Sequence, residues 1–112
     1  MTGYRRGDVV LVSFLFADET GIKHRPAVII SSDAYHAGRQ EVIIAAITSR
    51  TDRLLTGDHL IDSWQSAGLL FPSVAAGILR TIKQDMIARK LGSMAAPDMQ
   101  GVDKQLKLAL GL

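Results

Sequence analysis

Three short runs of β-branched and apolar residues, each closed by turn formers, most limit what this chain can fold into. Residues 8–16 (DVVLVSFLF) are nearly continuous in apolar character, as a strand buried on both faces would be. The cluster 17–23 (ADETGIK), with Gly21 in it, reads as a turn. Pro26 can only open a strand or sit on an edge, so a second strand is expected over 27–30. Ser31, Ser32 and Asp33 punctuate, a short helical turn fits 34–38, and residues 41–48 (EVIIAAIT) make a third strand. The second half is less regular. It holds a short strand at 59–61, a helical turn at 63–67 stopped by Gly68, strands at 73–75 and 79–82 pairing around Gly77, and another strand at 87–91. From Pro97 the period changes: Met99, Val102, Leu106 and Leu110 recur at helical spacing, with Lys104 and Lys107 off that stripe. Pro97 suits a first helical turn, whereas Gly101 costs that helix about 1 kcal/mol against alanine. The expected fold is mainly β with some α: a small, strongly curved antiparallel sheet or barrel with short helical turns and a C-terminal amphipathic helix.

Composition narrows the functions open to such a fold. With 112 residues, 47% of them hydrophobic and 21% charged, residues 1–112 are expected to form one domain. A chain of this size buries roughly two-thirds of its unfolded surface, enough for a core of its own. The absence of cysteine removes disulfide frameworks, thiolate zinc sites and cysteine nucleophiles together. No segment approaches the ~20 apolar residues of a spanning helix. Residues 1–10 lack a signal peptide's order, because Asp8 follows the basic pair and no small-residue cleavage site follows the apolar run. A cytoplasmic protein without membrane contact is expected. The net charge of +2 is too small to argue for nucleic acid, so any such case rests on local placement.

Most chemical motifs are missing. His24, His36 and His59 are far apart and no HExxH or acidic calcium loop occurs; Asp18 and Glu19 sit in the turn cluster for backbone reasons, so no metal is expected. GxGxxG, GxxxxGK[ST] and GxSxG are all absent, so no cofactor is expected. What remains is a pair of strand ends. Lys23-His24-Arg25-Pro26 opens one strand, and Ile47-Thr48-Ser49-Arg50 closes the next, with Arg53 nearby. If those strands are antiparallel neighbours, Arg25 and Thr48 line one rim, a set of guanidinium and hydroxyl groups suited to phosphodiester oxygens. The same residues fit a plainer reading, with solvated arginines at strand ends and a threonine that simply favours strands.

The ordered segments RGDVVLV (6–12), ETGIKHRPAVIISS (19–32), AAITSR (45–50), WQSAGLLFPS (64–73), LRTI (79–82) and ARKLG (88–92) resemble the MazF/PemK family of type II toxins. Each segment alone is weak; the ordered set covers nearly the whole chain. The resemblance implies a small SH3-like barrel with a C-terminal helix, usually a homodimer, acting as a ribosome-independent endoribonuclease on single-stranded mRNA and neutralised by a cognate antitoxin. It implies Arg25 and Thr48 as the catalytic pair, with Ser49, Arg50 and Arg80 as candidates for RNA contact. Cleavage would use the ribose 2′-hydroxyl as internal nucleophile, and Arg25, always charged, suits stabilisation of the phosphorane better than proton abstraction. The chain departs from the family pattern at Leu15 and Ala46, where many members have proline, and at Lys83, where an acid is common. Of the aromatic residues, Phe14, Phe16 and Trp64 are expected in the core and Phe71, beside Pro72, on an exposed rim. Two rival readings are a gyrase-binding toxin resembling CcdB, which acts through a C-terminal Trp-Gly-Ile where this chain ends Ala109-Leu110-Gly111-Leu112, and a barrel that binds nucleic acid without cleaving it.

Overall fold

The computed structural model describes residues 3–15 and 22–112. Six strands form one antiparallel sheet: β1 (Asp8–Leu15), β2 (Ile22–Ile29), β3 (Glu41–Thr48), β4 (His59–Leu60), β5 (Val74–Lys83) and β6 (Ile87–Ser93). Their spatial order is β4-β5-β3-β2-β1-β6. A short helix α1 (Asp33–His36) joins β2 to β3, and a long helix α2 (Ala96–Leu110) ends the chain. The mainly antiparallel β architecture with one closing helix is as the sequence led us to expect. Among the described residues β4 and β6 are the edges of the sheet, so the strongly curved sheet or barrel that was expected is not closed. The expected turn with Asp18, Glu19 and Gly21 lies outside the described residues, as do Phe16 and the side chains of Phe14 and Leu15.

The nearly unbroken apolar runs have a direct cause: the sheet is covered on both faces. Val9, Val28, Ala45 and Ile47 belong to one buried cluster, completed by Ala67, Leu69, Met94 and Val102. Val10, Val12, Ala27, Ile29, Val42 and Ile44 belong to a second, with Ile82 and Ile87. Successive strand residues point to opposite faces, so a strand sandwiched between two cores alternates between them and shows no polar face. In β3 the neighbours Ile44 and Ala45 are both buried, one in each cluster.

Two strands differ from the sequence reading. β2 extends back through Pro26 to Ile22, because β1 pairs with it residue by residue as far as Leu15↔Ile22. Proline is tolerated there because the β2–β3 ladder ends at Ala27↔Ala46. The Ile30 N–H donates to the Ile43 carbonyl, and two-residue alternation puts the Pro26 nitrogen on that same side, beyond the last pair. The second difference is β5, one continuous strand where two were expected to pair around Gly77. Both halves pair with β3 instead, across an irregularity between Ala45 and Ile47. Gly77 is there for close approach: a Cβ on it would lie 3.0 Å from the Gly57 backbone. Ala46 sits in that irregular stretch.

α2 packs Met99, Val102 and Leu106 onto the first cluster, whereas Leu110 is exposed. Its first turn is anchored by Asp98, which is 1% exposed. The Asp98 carboxylate accepts from the backbone N–H groups of Asp62 and Ser63 and from His59 Nε2, each at 2.9 Å. Burial pushes its pKa up, but the His59 hydrogen bond and the two backbone donors outweigh that and hold the carboxyl below its ordinary value. The chain preceding β1 is tied to the same helix by an Arg6–Asp103 ion pair.

Candidate functional site

The site begins where β2 and β3 part. Their last pair is Ala27↔Ala46, and the register continued by two residues sets Arg25 opposite Thr48, in the same side-chain row. β1 stays paired with β2 across the gap, with Val12 opposite Arg25 and Leu11 opposite Pro26. On the other side of β1, β6 places Arg89 opposite Leu11. The opening is a cleft of about 720 Å³. Its walls are Arg25, Pro26, Leu11 and Arg89 from the sheet, Ile47, Thr48 and Ser49 from the end of β3, and Gly68, Leu69, Leu70, Phe71 and Ser73 from the connection before β5, with Leu91.

The chemistry of that lining is one-sided. It carries two guanidinium groups and the hydroxyls of Thr48 and Ser49, and its described residues include no carboxylate. Neither guanidinium has a hydrogen-bond or ion-pair partner among the described residues. A pair of arginines in a concave site with no carboxylate in its described lining attracts anions, and each planar fork can hold two oxygens of one phosphate. The Thr48 hydroxyl is oriented from behind: its Oγ1 accepts the Arg50 backbone N–H at 3.2 Å. That leaves the hydroxyl proton available to a ligand oxygen.

The residues singled out in the sequence separate into two groups. Arg25, Thr48 and Ser49 come together in the cleft. Arg50 serves Thr48 through its backbone, while its side chain is 84% exposed beside Asp52 in the neighbouring groove. Arg80 is exposed on β5, opposite Ile44 and outside the described lining. Phe71 is exposed on the rim as expected, and Trp64 packs against the first core cluster. Arg89 was not singled out, since nothing local marks it and only the β1–β6 register brings it to the cleft. No histidine joins these groups. His24 is exposed and outside the lining, and His59 is held by Asp98. His36 is buried with Nε2 2.6 Å from Ser31 Oγ. Among the described residues no three His, Asp or Glu side chains gather as a metal-ligand set. No helix among them is long and apolar enough to cross a membrane.

Fold and cleft together define a class: a small antiparallel β protein with one closing helix and an arginine-lined cleft where two central strands separate. Residues 5–110 match the family described as PemK-like, MazF-like toxin of type II toxin-antitoxin system, and the chain belongs to that family. Several solved structures share its fold. A mycobacterial endoribonuclease in complex with its cognate antitoxin superposes with a TM-score of 0.78 at 23% identity, covering 98% of this chain and 97% of that one. The Mycobacterium tuberculosis toxin MazF-mt6 gives a TM-score of 0.76 at 24% identity, covering 94% and 97% of the two chains. A MazE–MazF structure from Deinococcus radiodurans gives 0.81 at 19% identity, covering 100% and 99%.

Proposed function

We propose that this toxin is a sequence-specific, ribosome-independent endoribonuclease that cleaves single-stranded mRNA through the ribose 2′-hydroxyl, without a metal ion. The observation that carries the reading is the convergence of Arg25, Thr48 and Ser49 in a cleft with no carboxylate in its described lining. Family membership and the endoribonucleases of like fold support it. In the reaction the 2′-oxygen attacks phosphorus, the bond to the 5′-oxygen breaks, the 2′-proton leaves and the 5′-oxygen gains a proton. The products are a 2′,3′-cyclic phosphate and a 5′-hydroxyl. Arg25 binds the non-bridging oxygens as their charge grows, and Thr48 donates its hydroxyl to one of them. Ser49, beside Thr48 on the cleft wall, is a further hydroxyl donor to the strand. Arg50 and Arg80, outside the described lining, are RNA contacts only for a substrate extending beyond the cleft.

The same reading makes the protein cytoplasmic, homodimeric and paired with a cognate antitoxin. Support for the antitoxin is the complexed state of like-folded toxins, and support for the dimer is the exposed apolar surface beside α2. The decisive experiment incubates the protein with a mixed-sequence RNA in EDTA and maps the new ends. Cuts at a defined sequence that leave 2′,3′-cyclic phosphate are the expected result. An intact substrate, or cuts that require added metal, would overturn the assignment.

A further inference from the structure

We propose that Arg89 and Phe71 form a second subsite of the cleft, in which the guanidinium holds a phosphodiester adjoining the scissile one and the ring stacks on a neighbouring base. The proposal rests on the ribonuclease reading and adds to it a place for the strand beyond the cut. Arg25 and Arg89 flank β1 on opposite sides, the first opposite Val12 and the second opposite Leu11. Two inter-strand spacings, about 10 Å, separate their backbones. Both side chains nevertheless line the one cleft, so a strand of RNA lying in it meets both guanidinium groups.

Among the described residues nothing within the protein engages the Arg89 guanidinium. Its neighbour Lys90 points to the other face, where Nζ is 3.2 Å from the buried carboxylate of Asp8. Arg89 is exposed in the cleft and its guanidinium has no partner among the described residues. The rim beside it is fixed. Gly68 and Gly92 let the connection press backbone to backbone on β6: a Cβ on Gly68 would lie 2.2 Å from the Leu91 carbonyl oxygen, and one on Gly92 2.5 Å from that of Ala67. Beyond this clamp, Ser73 Oγ donates to the Phe71 carbonyl at 2.7 Å, and Pro72 between them restricts the backbone further. Phe71 is thus held 62% exposed at the mouth of a cationic cleft. A solvent-facing ring and an arginine lining the same cleft are the combination by which proteins hold single-stranded nucleic acid, stacking on the base and pairing with the phosphate.

The two contacts leave different signatures. The test uses an oligonucleotide carrying the mapped cut site, 2′-O-methylated at the scissile nucleotide, with binding followed by fluorescence anisotropy across a salt series. Arg89→Ala should weaken binding and flatten the slope of log affinity against log salt by about 0.7, the share of one single-strand phosphate. Arg89→Lys should restore the slope. Phe71→Ala should weaken binding about tenfold with the slope unchanged, and Phe71→Trp should recover it. With unmodified RNA both alanine variants should raise KM more than they lower kcat. Lys104→Ala, on the outer face of α2, should change neither constant and so controls for net charge. Wild-type affinity and slope in Arg89→Ala, or wild-type affinity in Phe71→Ala, would overturn the subsite while wild-type cleavage stands. Absence of cleavage by the wild-type protein itself would instead overturn the ribonuclease reading.

Discussion

Single side chains divide here into those that meet a ligand and those that hold the fold, and substitution separates the two. Arg25 is exposed and unpaired among the described residues, so its removal leaves no buried group stranded. Arg25→Ala should therefore melt like wild type yet cleave RNA at least about a hundredfold more slowly, the usual loss of one preorganised transition-state donor. Near wild-type cleavage would take Arg25 out of the mechanism. Thr48→Ala should cost less, and Thr48→Val keeps the branched shape while deleting the hydroxyl that accepts the Arg50 N–H. Asp98 is the opposite case. Its replacement by alanine strands His59 and two backbone donors, a loss of about 3 kcal/mol at neutral pH. The sign of its pH dependence follows from the lowered folded-state pKa. The contribution is complete above the unfolded carboxyl value of about 3.9 and disappears as pH falls through the lower folded value. Urea midpoints of wild type and Asp98→Asn should converge below about pH 4; a gap that stays constant down to pH 2 would mean that charge at Asp98 is immaterial.

At the scale of elements, α2 shows how a poor local choice becomes the right one. Glycine at 101 weakens an isolated helix by about 1 kcal/mol relative to alanine. Here a Cβ at that position would lie 2.2 Å from His59 Cε1, and His59 cannot swing away without leaving Asp98. Gly101→Ala should thus destabilise by about 1–2 kcal/mol, overpacking outweighing propensity. In a His59→Ala background the same change should stabilise. A stabilising Gly101→Ala in the otherwise native chain would refute the contact. The same contrast explains what could be read from the sequence. β3 was legible to the residue because its alternation between two cores is a local pattern. Residues 74–83 were read as two strands because Gly77 looks like a turn, whereas its cause is the Gly57 backbone, distant in the chain. β2 was read too short because proline marks a strand start unless one knows that the neighbouring ladder has already ended. In the cleft, Arg25, Thr48 and Ser49 stood out as strand-end residues, but Arg89 arrives only through pairing across nearly eighty residues of chain.

For the whole molecule, the apolar surface left uncovered argues for a second copy. Leu55 is 58% exposed and Ile78 64%, and both line a groove that runs past Arg50 and Asp58 to Thr48. Nearby, the place a Cβ would take on Gly57 lies 3.4 Å from Ala109 Cβ, which sets the end of α2, with its exposed Leu108 and Leu110, beside the same region. β4, the short strand at that edge of the sheet, adds exposed Leu60. Isolated exposed leucines are ordinary, but a run of them across a groove, a sheet edge and a helix end is the surface a small protein covers by association. Because Thr48 lines both this groove and the cleft, a subunit seated there would border the reacting groups without displacing Arg25. The wild-type protein should sediment at twice the chain mass at micromolar concentration. Ile78 is exposed and belongs to neither buried cluster, so Ile78→Asp places a charge on that surface and should yield a folded monomer with a nearly unchanged circular-dichroism spectrum. A wild-type chain that sediments as a monomer, or an Ile78→Asp variant that stays dimeric, would place the subunit contact elsewhere or remove it.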